Sequence, residues 1–266
     1  MFEDKVIAIT GGTEGIGKAL IDELLQKGAK IATCGRNQDK LHQLQVAYQG
    51  KMLHALIADV SIEADCKRFI ESTILMYGGI DILINNAGIS MRSLVEDVGF
   101  ATLRKVMDTN FWGTVYCTKF SLKTITERKG SIVAVSSIAG YRGLPGRSGY
   151  SASKHAVHGW MESLRTELLE TGVNVMWVCP YFTASNIRNA ALNSLAEPQG
   201  ESFMDETKMM SASEVATHIV KAIEKRKRTL VLTFNGKRTV LMNKLFPGWA
   251  DKLVRKHFYK NGKLVK

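Results

Sequence analysis

Cysteine is scarce in this chain of 266 residues: Cys34, Cys66, Cys117 and Cys179 show neither metal-ligand spacing nor the density of a disulfide scaffold. Three of them fall in or beside apolar stretches and read as core residues, which suits a reducing compartment. A run of about 18 apolar residues is missing, so no membrane span is expected. The opening MFEDKV places acids where a secretion signal carries basic residues before an apolar core, and the expectation is a cytoplasmic protein. Acids are also missing from one region. Residues 221–266 hold 14 Lys and Arg against Glu224 and Asp251, whereas the rest of the chain carries 22 basic and 23 acidic groups, so the net charge of +11 belongs to the last sixth of the chain. No internal repeat or low-complexity segment is present. What remains is 45% hydrophobic, enough for one large α/β domain with a full core.

The apolar run KVIAIT (5–10) leads into Gly11, Gly12, Thr13, Glu14, Gly15, Ile16 and Gly17, and a helical pattern then runs to Gly28. A strand, a glycine-rich turn and a helix in this order form a dinucleotide entry. Glycine permits the tight turn, and the helix N-terminus offers free N–H groups to a pyrophosphate. The second strand, KIATCGRN (30–37), ends in Gly35-Arg36 with no acid. An acid there accepts from ribose hydroxyls, whereas an arginine pairs with a 2′-phosphate, so the expected cofactor is NADP(H). Asp59 and Val60 stand at the mouth of the third strand. There Asp59 can accept from the adenine amino group or cap the next helix, a role open equally to Ser61. The fourth strand ends in Asn85, Asn86, Ala87 and Gly88, where amides can tie strand ends together and small residues leave room for a flat ligand.

SIVAVSS ends a fifth strand at Ser136 and Ser137, and a Gly/Pro/Arg-rich loop leads to a helical pattern from Tyr150 to Glu170. Tyr150 and Lys154 stand four apart, on one helical face, where the ammonium can favour the phenolate and lower the Tyr150 pKa. Asn110 falls inside a long helical segment (100–128), a position its propensity disfavours. VNVMWVCP (173–180) is a further strand, and the turn after it, through Pro180, Thr183 and Ser185, can meet a carboxamide. Residues 187–212 read as a lid, with Leu192, Leu195, Phe203, Met209 and Met210 suggesting a hydrophobic substrate. A helix (213–225) and a strand (229–234) follow.

These motifs, TGGTEGIG, NNAG, Asn110, Ser137 and YSASK, cover residues 5 to about 235 and resemble the short-chain dehydrogenase/reductase family in its single-domain form. The nearest resemblance is to the 11β-hydroxysteroid dehydrogenase and retinol-reductase-like branch. It implies a doubly wound, Rossmann-type parallel sheet of about seven strands in the order 3-2-1-4-5-6-7, with helices on both faces. It also implies a tetrad of Asn110, Ser137, Tyr150 and Lys154. In it Tyr150 is general acid or base, Ser137 orients the carbonyl, Lys154 binds ribose and Asn110 supports a relay water. One departure is Tyr181, which stands where the family usually has glycine after Pro180. The implied function is hydride transfer between NADP(H) and a ketone, aldehyde or alcohol. The alternative is a noncatalytic NADP-binding sensor on the same fold.

The resemblance further implies a homodimer or homotetramer. His155 and His158 lack companions for a metal site, and basic charge without a base-reading motif supports only nonspecific nucleic-acid contact. The catalytic domain is expected to span residues 1–236, followed by a basic amphipathic extension (237–266). Its apolar residues Val240, Leu241, Leu245, Trp249, Leu253 and Val254 recur at helical spacing across a Pro247-Gly248 break. That pattern suits a peripheral contact with an anionic membrane, and equally packing on the domain or a sister subunit.

Overall fold

The computed structural model describes residues 1–184, 186–200 and 209–265. Seven parallel strands form one sheet in the order β3-β2-β1-β4-β5-β6-β7. They are β1 (Val6–Thr10), β2 (Lys30–Gly35), β3 (Leu53–Ile57), β4 (Ile82–Asn85), β5 (Ser131–Val135), β6 (Asn174–Cys179) and β7 (Thr229–Val231). The helices are α1 (Gly15–Gln26), α2 (Gln38–Ala47), α3 (Glu63–Tyr77), α4 (Phe100–Met107), α5 (Gly113–Glu127), α6 (Ser148–Glu167), α7 (Ala212–Glu224), α8 (Phe234–Leu245) and α9 (Pro247–Phe258). Strands β1, β4, β5 and β6 are buried along their whole length, which is why they read as continuous apolar runs. One core layer packs Leu20, Leu24, Val215 and Ile219 of α1 and α7 on one face of the sheet, and the other packs Phe69, Ile70, Cys117 and Met161 of α3, α5 and α6 on the opposite face.

Parallel strands joined by helical crossovers place all their C-terminal ends along one edge, where the order reverses between β1 and β4. Thr10, Asn86, Ser137 and Pro180 follow strand ends there and so meet in space. The strand expected over 229–234 is shorter than its pattern. Thr233 takes a left-handed conformation (φ 64°), and its side chain accepts from the Gly236 N–H, so it caps α8 at the point where the strand stops. The boundary expected at 236 therefore falls inside α8.

Pro247 begins α9, so the predicted break separates two helices. The α8–α9 pair folds back over the sheet edge. Arg142 binds Asn243 (2.9 Å) and Asp251, the Asn243 amide donates to the Tyr141 carbonyl (2.8 Å), and Phe258 is buried. A short hairpin, β8 (Tyr259–Lys260) and β9 (Lys263–Leu264), completes the described chain.

Candidate active site

The glycine turn is held open by its neighbours. Gly11 and Gly15 have φ of 70° and 58°, which side chains rarely adopt, and a Cβ on Gly17 would stand 2.2 Å from the Gly11 carbonyl oxygen. Across the β1–β4 boundary, the Asn86 amide donates to the Thr10 and Gly11 carbonyls (2.9 and 3.0 Å), and the Thr10 hydroxyl accepts from the Asn86 and Ala87 N–H groups (3.0 Å each). Asn86 thus ties the strand ends, as its residue type suggests. No side chain caps α1, so its first N–H groups face the cavity beyond the glycines.

That cavity, of about 660 Å³, runs along the sheet edge. Gly11, Thr13, Glu14, Gly15 and Ile16 line one end together with Arg36, Asp59 and Val60. Asn86, Ala87 and Gly88 line its middle, and Ser137, Tyr150, Lys154, Pro180 and Thr183 line the rest. Two sequence candidates lie behind the wall instead: Gly17 is buried under the turn and Asn110 is 1% exposed. Ser185 and Phe203 lie outside the described residues.

At the nucleotide end, Arg36 faces Asp59 at 3.7 Å and Lys40 neutralises Glu14 at 2.8 Å. Asp59 caps no helix. Its carboxylate accepts from the Ser61 N–H and hydroxyl (2.9 and 2.7 Å), and the N-cap position of α3 is Ile62.

Tyr150 and Lys154 share a face of α6, as the spacing requires. Their electrostatics differ from expectation. Lys154 Nζ donates to the Val135 carbonyl (2.9 Å) and stands 5.8 Å from the Tyr150 ring centroid. Burial raises the Tyr150 pKa above its ordinary value, and the opposing pulls come from the Ser137 side-chain hydrogen bond and the Arg147 guanidinium. The expected lowering is therefore corrected: burial outweighs the Ser137 hydrogen bond and the Arg147 charge, and the phenol is held in its proton-bearing form. Lys154 itself is lowered by burial to about 8.

Asn110 lies in a wide π turn, Asp108–Trp112, between α4 and α5. Its Oδ1 accepts from the Ile89 N–H (2.8 Å), and its Nδ2 donates to the Ile89 carbonyl (2.9 Å) and the Ser153 hydroxyl (3.0 Å). The amide therefore braces the segment after Gly88 against α6. The main-chain carbonyl of Asn110 accepts from Thr114 Oγ1 at 2.9 Å. His158 is held by the Ser136 hydroxyl (2.7 Å) and stacks on Trp177, and burial lowers its pKa to about 4.

Residues 5–195 match the family model for short chain dehydrogenases. The chain belongs to the short-chain dehydrogenase family. It is 34% identical over 251 residues to dehydrogenase/reductase SDR family member 7B of Mus musculus, covering 91% of this chain and 78% of that one. It is 38% identical over 224 residues to 11-beta-hydroxysteroid dehydrogenase-like 4A of Arabidopsis thaliana, covering 82% and 73%. The fold is shared with a short chain dehydrogenase/reductase of Burkholderia phymatum in complex with NAD (TM-score 0.82, 21% identity, covering 93% of this chain and 95% of that one). It is also shared with 3-ketoacyl-(acyl-carrier-protein) reductase of Brucella melitensis complexed with NADH (TM-score 0.76, 21% identity, covering 86% and 97%). The chain is thus a short-chain dehydrogenase/reductase oxidoreductase of the branch that includes these two relatives.

For a short-chain dehydrogenase, the far wall of the cavity is what the sequence reading missed. Met242, Ala250, Leu253, Val254, His257 and Phe258, all from α8 and α9, line it, as do Arg142, Leu144 and Arg147 from the loop before Tyr150. The 250/254/258 spacing was the available signal for the helix wall. Of the segment read as a lid, Ile187, Arg188 and Ala190 line the cavity, but the apolar residues singled out in it do other work. Leu192 is buried against Met91 and Val106, Leu195 is 76% exposed, and Met210 packs on the core beneath β1, so none of the three lines the cavity.

Proposed function

We propose that the protein reduces a ketone or aldehyde, or oxidises the matching alcohol, with NADP(H). The observation that carries this reading is that Ser137, Tyr150 and Lys154 line one cavity whose other end is a glycine turn with open N–H groups. The residues present fit a dinucleotide. The uncapped start of α1 suits a pyrophosphate, and Gly88 keeps the cavity wall low beside Lys154, where a Cβ would press on Asn110 Oδ1 at 3.1 Å. When bound, a reduced nicotinamide supplies hydride to the carbonyl carbon.

The chain supplies the remainder. Ser137 donates to the carbonyl oxygen, and Tyr150 gives it a proton as it gains negative charge. Lys154 holds the ribose hydroxyls near the phenol, and Asn110 positions both Gly88 and α6. Arg36 supports NADP(H) because β2 ends without a carboxylate and its exposed guanidinium can turn from Asp59 to a 2′-phosphate. Leu144, Met242, Leu253, Val254 and Phe258 suit an apolar substrate body.

The exposed Leu241, Leu245, Phe246 and Trp249, flanked by Lys237, Lys244 and Lys252, suit a peripheral seat on anionic lipid at the cytoplasmic face. Incubating the protein with a panel of ketones and aldehydes, with NADPH and separately NADH, tests the reading. NADPH oxidation matched by alcohol formation is expected, and a wild-type preference for NADH would overturn the cofactor assignment.

A further inference from the structure

The charges lining the cavity divide sharply between its ends. Its only acids among the described residues are Glu14 and Asp59, both at the nucleotide end and both already facing a cation. Among the described residues, the substrate end carries Arg142, Arg147, Arg188 and Arg238 and no acid. Two of these arginines are engaged by the protein: Arg142 by Asn243 and Asp251, and Arg188 by the Thr183 carbonyl at 2.8 Å.

Arg147 differs. Among the described residues it has no ion pair or hydrogen bond to its guanidinium; its Nε is out of solvent without a partner, and its one contact of note is the Phe258 ring at 5.9 Å. Burial disfavours the cation there, and the like charges of Arg188 and Arg92 add to it against the opposing pull of Tyr150. Arg147 also occupies the N-cap position of α6, three residues before Tyr150, where no side chain caps the first N–H groups of the helix. A desolvated guanidinium beside an open helix start, under like charge, is unfavourable until an anion arrives.

We propose that the carbonyl substrate carries a carboxylate, which Arg147 binds in its guanidinium fork while the carbonyl lies at Tyr150 and Ser137. This deepens the carbonyl-reductase reading and rests on it. It makes the substrate an amphipathic oxo acid, with the apolar body against α8 and α9 and the acid group on the loop before α6. Arg147 then has two effects: it orients the substrate, and its field opposes the burial that raises the Tyr150 pKa.

The test is a series of medium-chain oxo acids, with the ketone at successive distances from the carboxylate, each measured beside its methyl ester with NADPH. The wild type is expected to favour at least one acid over its ester by about tenfold or more in kcat/KM, carried mostly by KM, as a charge-assisted pair implies. Arg147→Met should bring that ratio close to one, and Arg147→Lys, which keeps the charge but loses the fork, should fall between. NADPH binding and circular dichroism check that each variant is folded.

Equal rates for acids and esters in the wild type, or an acid preference unchanged in Arg147→Met, would overturn the inference. Turnover of neutral ketones alone would leave the reductase standing and remove the anion site. Should no carbonyl compound oxidise NADPH, the reductase reading fails and binding decides Arg147: decanoate, its methyl ester and decyl phosphate are compared by thermal shift with NADP+ present. Stabilisation by decanoate that is lost in Arg147→Met keeps the anion site. No stabilisation, or a phosphate preferred over the carboxylate, overturns the assignment.

Discussion

At the scale of single residues, the proposed reaction gives the proton transfer to Tyr150, whose pKa is raised by burial against the pulls of Ser137 and Arg147. Replacing it with phenylalanine keeps the ring and deletes the proton donor, so Tyr150→Phe is expected to lower kcat by about 100-fold or more with NADPH affinity within a few-fold. A variant that retains most of the wild-type rate would remove Tyr150 from the reaction. Lys154 gives the pH dependence. Burial lowers its pKa from 10.5 to about 8 in the free enzyme, so the ammonium proposed to bind ribose is present below pH 8 and lost above it. The kcat/KM for carbonyl reduction should be flat below pH 8 and fall above it, and a pH profile with Lys154→Arg should move that limb upward. The same depression makes the buried ammonium a cost to the fold below pH 8, relieved as pH rises toward 10.5, where an unfolded chain still holds the proton. For cofactor choice, Arg36→Ile should lower kcat/KM with NADPH about tenfold, the value of a charge-assisted hydrogen bond, and leave the NADH value nearly unchanged. These roles were partly legible in sequence. The i, i+4 spacing of Tyr150 and Lys154 is local, whereas the Ser137 and Arg147 influences on the phenol come from packing.

Among the elements, the turn between β1 and α1 shows how backbone approach makes a site. Gly17 belongs to α1, yet the space beside it is filled by the Gly11 carbonyl and the Asn86 amide, the latter 2.6 Å from a built Cβ. Gly17→Ala must push the turn off β4 and break the Asn86 bonds to Thr10 and Gly11. Overpacking of this kind costs about 1–3 kcal/mol, and each kcal/mol lowers Tm by about 2–4 °C in a domain of this size. Thermal unfolding and NADPH titration check it together, and unchanged stability with unchanged affinity would contradict the geometry. The π turn at Asp108–Trp112 is a second such device. One extra residue in the turn accompanies the inward placement of Asn110, where it holds Ile89 and Ser153. Sequence marked Asn110 as out of place in a helix, because propensity is a local property. Which groups the amide would hold depends on segments 21 and 43 residues away.

For the whole molecule, the α8–α9 pair is both the far wall of the cavity and the most basic surface. Its inward residues Ala250, Val254 and Phe258 meet the cavity, and Phe246 and Trp249 are 61% and 71% exposed on the outside. Asp251, the only acid after Glu224, is bound by Arg142, so no other carboxylate offsets the outer cations. Apolar burial and attraction to anionic headgroups then add. The protein is expected to float with vesicles containing phosphatidylserine, less at high salt, and not with neutral vesicles; Phe246→Glu with Trp249→Glu should abolish flotation without altering the fold. Recovery in the soluble fraction under every condition would assign the surface to packing between copies, which sedimentation would show as a change of oligomeric state in the double variant.

The sequence by itself determined the glycine turn, the Tyr150–Lys154 pair and the charge of the tail, because each follows from local spacing or from composition, while the strand order came with the family resemblance and the alternation of strands and helices. Only the tertiary structure decided that the tail roofs the cavity, that Asp59 faces Arg36, and that Arg147 stands among like charges beside Tyr150. The contacts of the tail join residues about a hundred positions apart, as Arg142 joins Asp251, and burial, which outweighs charge at Tyr150, exists only once the chain has closed around the residue.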